Sequence, residues 1–175
     1  MARTLLETLK VSVTLEKAHA PDVAGIVALR TAVAERLTRD FGRGHWSSPG
    51  TESSVIRDMA TPGLYVVRDQ ALLIATLRLA TRKPWAVDPQ YFSANETPLY
   101  LTSMAVDPDR QRQGIGRGCM TEAIKVARQK PADAIRLDAY DAAAGAGAFY
   151  EKCGFREVAR VVYRGTPLIY YELLL

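Results

Sequence analysis

The apolar positions of the chain change period several times, and each change marks an element. Val11, Val13 and Leu15 alternate with Ser12 and Thr14, which predicts a first strand with one face buried. Pro21 and Asp22 then open a helix to about Arg39, on which Val23, Ile26, Val33 and Leu37 fall at helical spacings and form one apolar stripe. Residues 41–50 are too rich in Gly, Ser and Pro to be regular, and Ser53 or Ser54 can cap a short second helix through Met59. Beyond Pro62-Gly63, Leu64 to Val67 and Leu72 to Leu79 read as a hairpin, and Lys83 to Asn95 as irregular chain. Leu99 to Val106 is strand-like again, Asp107-Pro108-Asp109 breaks it, and from Ile115 the apolar spacing turns to three and four until Pro131.

Ala134 to Tyr140 predicts another strand and Ala142 to Lys152 a last helix. Gly145 and Gly147 should each weaken that helix by about 1 kcal/mol relative to Ala, so their presence points to a close approach there. Val158 to Tyr163 and Leu168 to Leu174, split by Gly165-Thr166-Pro167, predict a closing hairpin. The order β-α-α-β-β-β-α-β-α-β-β predicts an α/β protein with one mixed sheet and helices on both faces. At 175 residues it is read as one domain spanning 1–175.

The stretch Gln111-Arg112-Gln113-Gly114-Ile115-Gly116 stands between a strand and a helix start. A helix start offers backbone N–H groups without partners and the positive end of a dipole, and two glycines let those amides close on an anion. Arg110, Arg112 and Arg117 add positive charge, so the element suits a pyrophosphate. An ordinary helix start would also carry Gly-x-Gly; a Walker-type loop and a dinucleotide fingerprint are both absent.

These residues resemble the GCN5-related N-acetyltransferase (GNAT) family, whose acetyl-coenzyme A loop reads Gln/Arg-x-x-Gly-x-Gly/Ala shortly after a strand ending in Val. Here that is Val106-Asp107-Pro108 followed by Gln111 to Gly116. Downstream, Phe149-Tyr150-Glu151-Lys152-Cys153-Gly154-Phe155 is similar to the family's Tyr-x-x-x-Gly-Phe. The resemblance implies a mostly antiparallel sheet of six to seven strands in which parallel strands four and five splay apart and admit the pantetheine arm. It further implies that backbone groups of Met104-Ala105-Val106 meet the acetyl carbonyl and pantetheine amides. The N–H groups of Gln111, Arg112, Gln113, Gly114, Ile115, Gly116 and Arg117 would then hold the pyrophosphate, and Tyr150 would protonate the departing thiolate. The implied reaction is acetyl transfer from acetyl-coenzyme A to a primary amine of a small acceptor, by direct attack in a ternary complex. A catalytically silent acyl-coenzyme A binding module and a protein or peptide acceptor are the alternatives.

Two departures bear on this. The family often has Asn seven residues before the tyrosine, where this chain has Ala143, and some relatives have a Glu base six residues before the strand-end valine, where it has Tyr100. Remaining candidates for the base are His45, Glu52, Asp138 and Asp141. Aromatic residues of the two irregular loops, His45, Trp46, Trp85, Tyr91 and Phe92, together with Tyr100, are candidate walls of the acceptor site, with local packing as the competing reading.

Composition narrows the partners. The +4 charge is modest and its arginines are scattered, so nucleic acid is not expected. Cys119 and Cys153 lack the spacing of a disulfide framework or zinc site, so no metal is expected and both read as reduced packing residues. No stretch has the apolar length of a signal or membrane span, which predicts a cytoplasmic protein; a homodimer is compatible with the sequence.

Overall fold

The computed structural model describes residues 12–94 and 97–175. Seven strands form one sheet in the order β1-β2-β3-β4-β5-β7-β6. They are β1 (Glu16–Lys17), β2 (Leu64–Asp69), β3 (Leu72–Ala80), β4 (Pro98–Val106), β5 (Ala134–Tyr140), β6 (Arg156–Tyr163) and β7 (Thr166–Leu174). Every neighbouring pair is antiparallel except β4 and β5. The helices are α1 (Val23–Phe41), α2 (Glu52–Met59), α3 (Ile115–Arg128) and α4 (Gly147–Lys152).

Alternation along the strands divides the core between two faces. Leu99 and Leu101 of β4, Ile135 and Leu137 of β5 and Ile169 and Tyr171 of β7 meet Cys119, Met120 and Ala123 of α3 and Tyr150 of α4. On the opposite face Ile26 of α1 and Val55 of α2 cover Leu64 and Val66, while Val87 and Phe92 of the 81–97 segment cover Tyr100, Leu168 and Tyr170. That segment is held by a buried ion pair: Arg136 Nε donates to Glu172 at 3.1 Å, and Arg136 also donates to the Ser93 carbonyl at 2.6 Å.

Most boundaries fall within two residues of the sequence reading, and three departures have a visible physical reason. Val13 and Leu15 lie outside any strand and pack on the α3 core; β1 is only Glu16–Lys17, and Val11 falls outside the described residues. A Cβ on Gly118 would meet the Val13 side chain at 2.6 Å, so the alternation serves packing against α3 rather than a ladder. The cap of α2 is Thr51, whose Oγ1 accepts from the Ser54 N–H, in place of Ser53 or Ser54. The last helix is shorter than 142–152 because its predicted first turn is a tight bend: Gly145 N–H donates to the Ala142 carbonyl, and a side chain at Gly145 would strike the Tyr140 carbonyl. The close approach at Gly147 is the Tyr171 hydroxyl, and Cys153 caps α4 from just outside it.

Candidate functional site

β4 and β5 pair only at Pro98–Ala134, Leu99–Ile135 and Tyr100–Arg136, although both strands run on, to Val106 and Tyr140. Beyond Tyr100 β4 stays with β3, and β5 stays with β7 through Tyr140, so the sheet opens between its fourth and fifth strands. A bulge lies where β4 diverges. Pairs Arg78–Thr102 and Thr76–Ala105 leave Leu77 alone on β3 opposite Ser103 and Met104 on β4. Ser103 has φ 53°, a left-handed conformation that costs a non-glycine residue on the order of 1 kcal/mol. It is exposed, although it sits in the middle strand of a seven-stranded sheet.

At the C-terminal end of β4 the chain turns into α3 through Arg112 at φ 61° and Gly114 at φ 85°. Among the described residues no hydrogen-bond acceptor meets the backbone N–H groups of Gln111 to Arg117; the first intrahelical bond there runs from Gly118 N to the Gly114 carbonyl at 2.9 Å. Arg110 donates to Asp69 at 2.8 Å and is neutralised there, whereas Arg112 and Arg117 are exposed and make no ion pair among the described residues. Gln111 and Gln113 brace the loop, donating to the carbonyls of Val106 and Asp109, each at 3.3 Å. Ile115 is buried in the core and anchors the turn.

Gly116 has a different reason to be glycine. A Cβ there would lie 3.3 Å from the Phe149 ring and 3.9 Å from Met104 Cε, so the first turn of α3 sits tight against α4 and β4. Valine at this position should displace that turn and its amides, and a phosphate-bearing ligand held by them should lose at least tenfold in affinity, about 1.4 kcal/mol. Titration calorimetry on the folded variant, checked by circular dichroism, measures it; unchanged affinity would remove the amides from the binding account. A Cβ at Gly114 meets nothing within 4 Å, so there only the left-handed backbone demands glycine.

Tyr150 reaches across the opening from α4. Its ring packs against Phe149, Phe155 and Tyr171, and its hydroxyl lies 3.8 Å from Met104 Sδ. Burial, then the charges of Asp138 and Cys153, drive the phenol well above its ordinary value, so it stays protonated. Asp138 lies on β5, on the same face as Arg136 and Tyr140 and two residues past the last β4–β5 pair. Burial raises its carboxyl above the usual carboxylate range, and it has no side-chain partner among the described residues. Burial also pushes the Cys119 thiol up to about 11 and raises Cys153, so neither is a ready thiolate near neutral pH.

The sequence of residues 31–155 matches the family model described as Acetyltransferase (GNAT) family. The chain is a member of the GNAT acetyltransferase family. A search of curated proteins by sequence found no match. Among solved structures, a GNAT family acetyltransferase from Listeria monocytogenes is similar with TM-score 0.73 and 16% identity over 93% of this chain and 95% of that one. The ribosomal-protein-S18-alanine N-acetyltransferase of Escherichia coli superposes with TM-score 0.66 and 18% identity over 93% of each chain. The Salmonella typhimurium structure described as yncA with its cofactor acetyl-CoA gives TM-score 0.66 and 16% identity over 94% of each chain. At these identities the structural likeness speaks for the fold, and that fold is the GNAT one: a seven-stranded mixed sheet opened between parallel strands β4 and β5.

Within this GNAT chain the predicted acceptor residues fall into separate places. His45 and Trp46 lie on the α1–α2 loop, which crosses from the β3–β4 side to the far side of the opening. Tyr140 donates to the His45 carbonyl at 3.2 Å, His45 Nδ1 lies 3.2 Å from Thr166 Oγ1, and the Trp46 and Tyr140 rings meet edge to face at 5.9 Å. Trp85, 83% exposed, and Tyr91 line another groove with Val162, Tyr163 and Tyr170, about 370 Å³ in volume. Tyr100 is buried with Phe92 and Tyr170 in the core beneath the 81–97 segment. Glu52 is exposed at the first position of α2, and Asp141, just past β5, is engaged by Arg160. No group of His, Cys, Asp and Glu suited to a metal is present among the described residues, and none of the described helices is long and apolar enough to cross a membrane. Residues that the sequence reading did not single out also meet here: Arg30 of α1, Asp58 of α2 and Ser103 of β4 are joined by hydrogen bonds.

Proposed function

We propose that this chain transfers an acetyl group from acetyl-coenzyme A to the primary amine of a small acceptor, by direct attack in a ternary complex. The observation that carries this reading is the opening between β4 and β5, with amides and two arginines that meet no acceptor or ion-pair partner among the described residues at one end and the Tyr150 hydroxyl across it beside Met104. Those features fit acetyl-coenzyme A: the Gln111–Arg117 amides with Arg112 and Arg117 suit the pyrophosphate, and the free edge of Met104-Ala105-Val106 suits the amides of the pantetheine arm. The cosubstrate supplies an activated acetyl carbon bearing a thiolate leaving group. Direct attack suits thiols that are poor nucleophiles: burial raises Cys119 and Cys153, and neither has a histidine adjacent in sequence.

An alkyl amine with a pKa near 10.4 is only about one part in 2,500 neutral at pH 7, so its proton must be removed on the acceptor side. We assign that proton transfer to Asp138, a partly buried carboxylate with a raised pKa on the sheet face that the α1–α2 loop crosses. Asp138 first takes the ammonium proton and passes it to solvent; as the neutral nitrogen then bonds to the acetyl carbon and the C–S bond breaks, the Asp138 carboxylate takes the second nitrogen proton, the Tyr150 O–H protonates the sulfur, and proton exchange with solvent restores both residues. The bridge from His45 to Thr166 and from Trp46 to Tyr140 narrows access over the opening, which favours an amine on a slender molecule or chain end.

Release of free thiol from acetyl-coenzyme A against polyamines, amino acids, aminoglycosides and peptide N-termini tests the proposal. Peptide N-termini belong in the panel because a structural relative is named for a ribosomal-protein alanine. Turnover with a small amine supports it; turnover confined to peptides moves the acceptor class. Silence across the panel with coenzyme A binding intact would favour an acyl-coenzyme A binding module. Coenzyme A affinity should also fall as salt rises and should exceed that of pantetheine lacking phosphates, because the loop's attraction is electrostatic. Salt-independent binding would sink the assignment of Arg112 and Arg117.

A further inference from the structure

We propose that Asp58, braced by Arg30, clamps the Ser103 bulge and thereby sets the β4–β5 opening, which makes Asp58 and Ser103 positioning residues for acetyl transfer. The inference rests on the reading above that this opening receives the acyl donor.

A bulge in a central strand needs a reason to persist. Ser103 Oγ donates to Asp58 Oδ2 at 3.1 Å, and the same oxygen accepts from Arg30 at 2.9 Å. The main-chain carbonyl of Asp58 accepts from Arg78 Nε at 3.2 Å, and Arg78 is the β3 residue paired with Thr102 immediately before the bulge. Asp58 therefore grips both strands, the bulged one through its side chain and the regular one through its backbone. Arg30 and Asp58 are largely buried, so the pair is shielded from screening. Arg30 Nε and Thr102 Oγ1 are buried without a protein partner among the described residues.

The phase of β4 depends on this bulge. Side chains alternate along a strand, so removing the extra residue would send Met104 to the opposite face. Met104 now contacts the Tyr150 hydroxyl and the first turn of α3, and losing the bulge would part both from the strand. Ser103 is a serine at φ 53° and gains nothing locally from that conformation, so the Asp58 contact is what maintains it.

Ser103→Ala and Ser103→Gly separate the parts. Alanine keeps the strained backbone and loses the bond; glycine loses the bond but adopts the conformation freely. For Ser103→Ala we expect coenzyme A affinity lowered a few-fold, because the Met104–Val106 edge shifts, and kcat lowered about thirtyfold, as for a small misplacement of reacting groups. The acceptor KM should be unchanged, and Ser103→Gly should recover most of the lost kcat. Turnover is measured by thiol release with the most active amine of the panel, and melting temperature is followed in parallel. Equal losses in both variants would make the hydroxyl itself the requirement and overturn the clamp, as would a raised acceptor KM or an undiminished kcat. Amide hydrogen exchange across 102–106 gives a readout that needs no turnover. Faster exchange in Ser103→Ala and near-parent exchange in Ser103→Gly support the clamp, and unchanged exchange in both overturns it. A parent protein that binds coenzyme A but acetylates no amine would count against the proposed reaction and leave the exchange result to judge the clamp.

Discussion

Replacing Asp138 by Asn should lower kcat/KM at pH 7 about a thousandfold, within the range that positioned acid–base groups supply, while coenzyme A binding is kept. Asparagine preserves size and position on β5 but cannot accept the amine proton. The pH profile carries the sharper signature. Burial raises the Asp138 carboxyl above 3.8, so the acidic limb of the parent's kcat/KM should lie above the ordinary carboxylate range, and the variant should lack it.

The same burial makes a linked statement about stability. A carboxyl whose folded pKa exceeds its unfolded value binds its proton more tightly in the native state, so it favours folding least when ionised. The penalty starts near 3.8, where the unfolded carboxyl ionises, grows as pH rises and is complete above the raised folded value. The Asp138→Asn variant, neutral throughout, should therefore melt at a higher temperature than the parent at pH 7 and at nearly the same temperature below about pH 3. A variant that turns over at the parent rate would hand the proton to water. His45 is the control: exposed on the α1–α2 loop with its ring beside Thr166, its replacement by Ala should leave the acidic limb in place.

The strands around the Gln111–Arg117 loop are legible in the sequence because their signals are local. Ala134 to Tyr140 is a strand over that span, and the Asp107-Pro108-Asp109 break followed by apolar spacings of three and four announces α3. The first strand departs from its pattern for an equally local reason: five alternating residues look alike whether they pair with a strand or pack on Gly118 of α3. What joins distant parts leaves no mark in the pattern. Nothing in Thr102-Ser103-Met104 predicts a left-handed serine, since that conformation depends on register with β3 and on Asp58, 45 residues away. The link from His45 to Thr166 spans 121 residues and closes only when α1 lies on one side of the opening and the β6–β7 turn on the other. Asp138 ranks no higher than the other carboxylates until its burial is known.

For Tyr150→Phe we expect a loss of about a hundredfold in kcat with coenzyme A affinity nearly unchanged. The ring contacts with Phe149, Phe155 and Tyr171 do not need the hydroxyl, so packing should survive. The structure bears on the size of the effect from two directions. Burial, and then the neighbouring charge of Asp138, keep the phenol protonated, so a donor is present whenever the thiolate forms. They also make it a weak acid toward a thiolate whose conjugate acid lies near 8.5, and a thiolate leaves fairly well without help, which places the loss at the low end for acid catalysis. Pre-steady-state measurement of thiol release isolates this step from product release. Near-parent rates with chemistry limiting would mean that water protonates the sulfur and Tyr150 is core. Loss of coenzyme A affinity would instead make the hydroxyl, beside Met104 Sδ, part of the wall of the pantetheine channel.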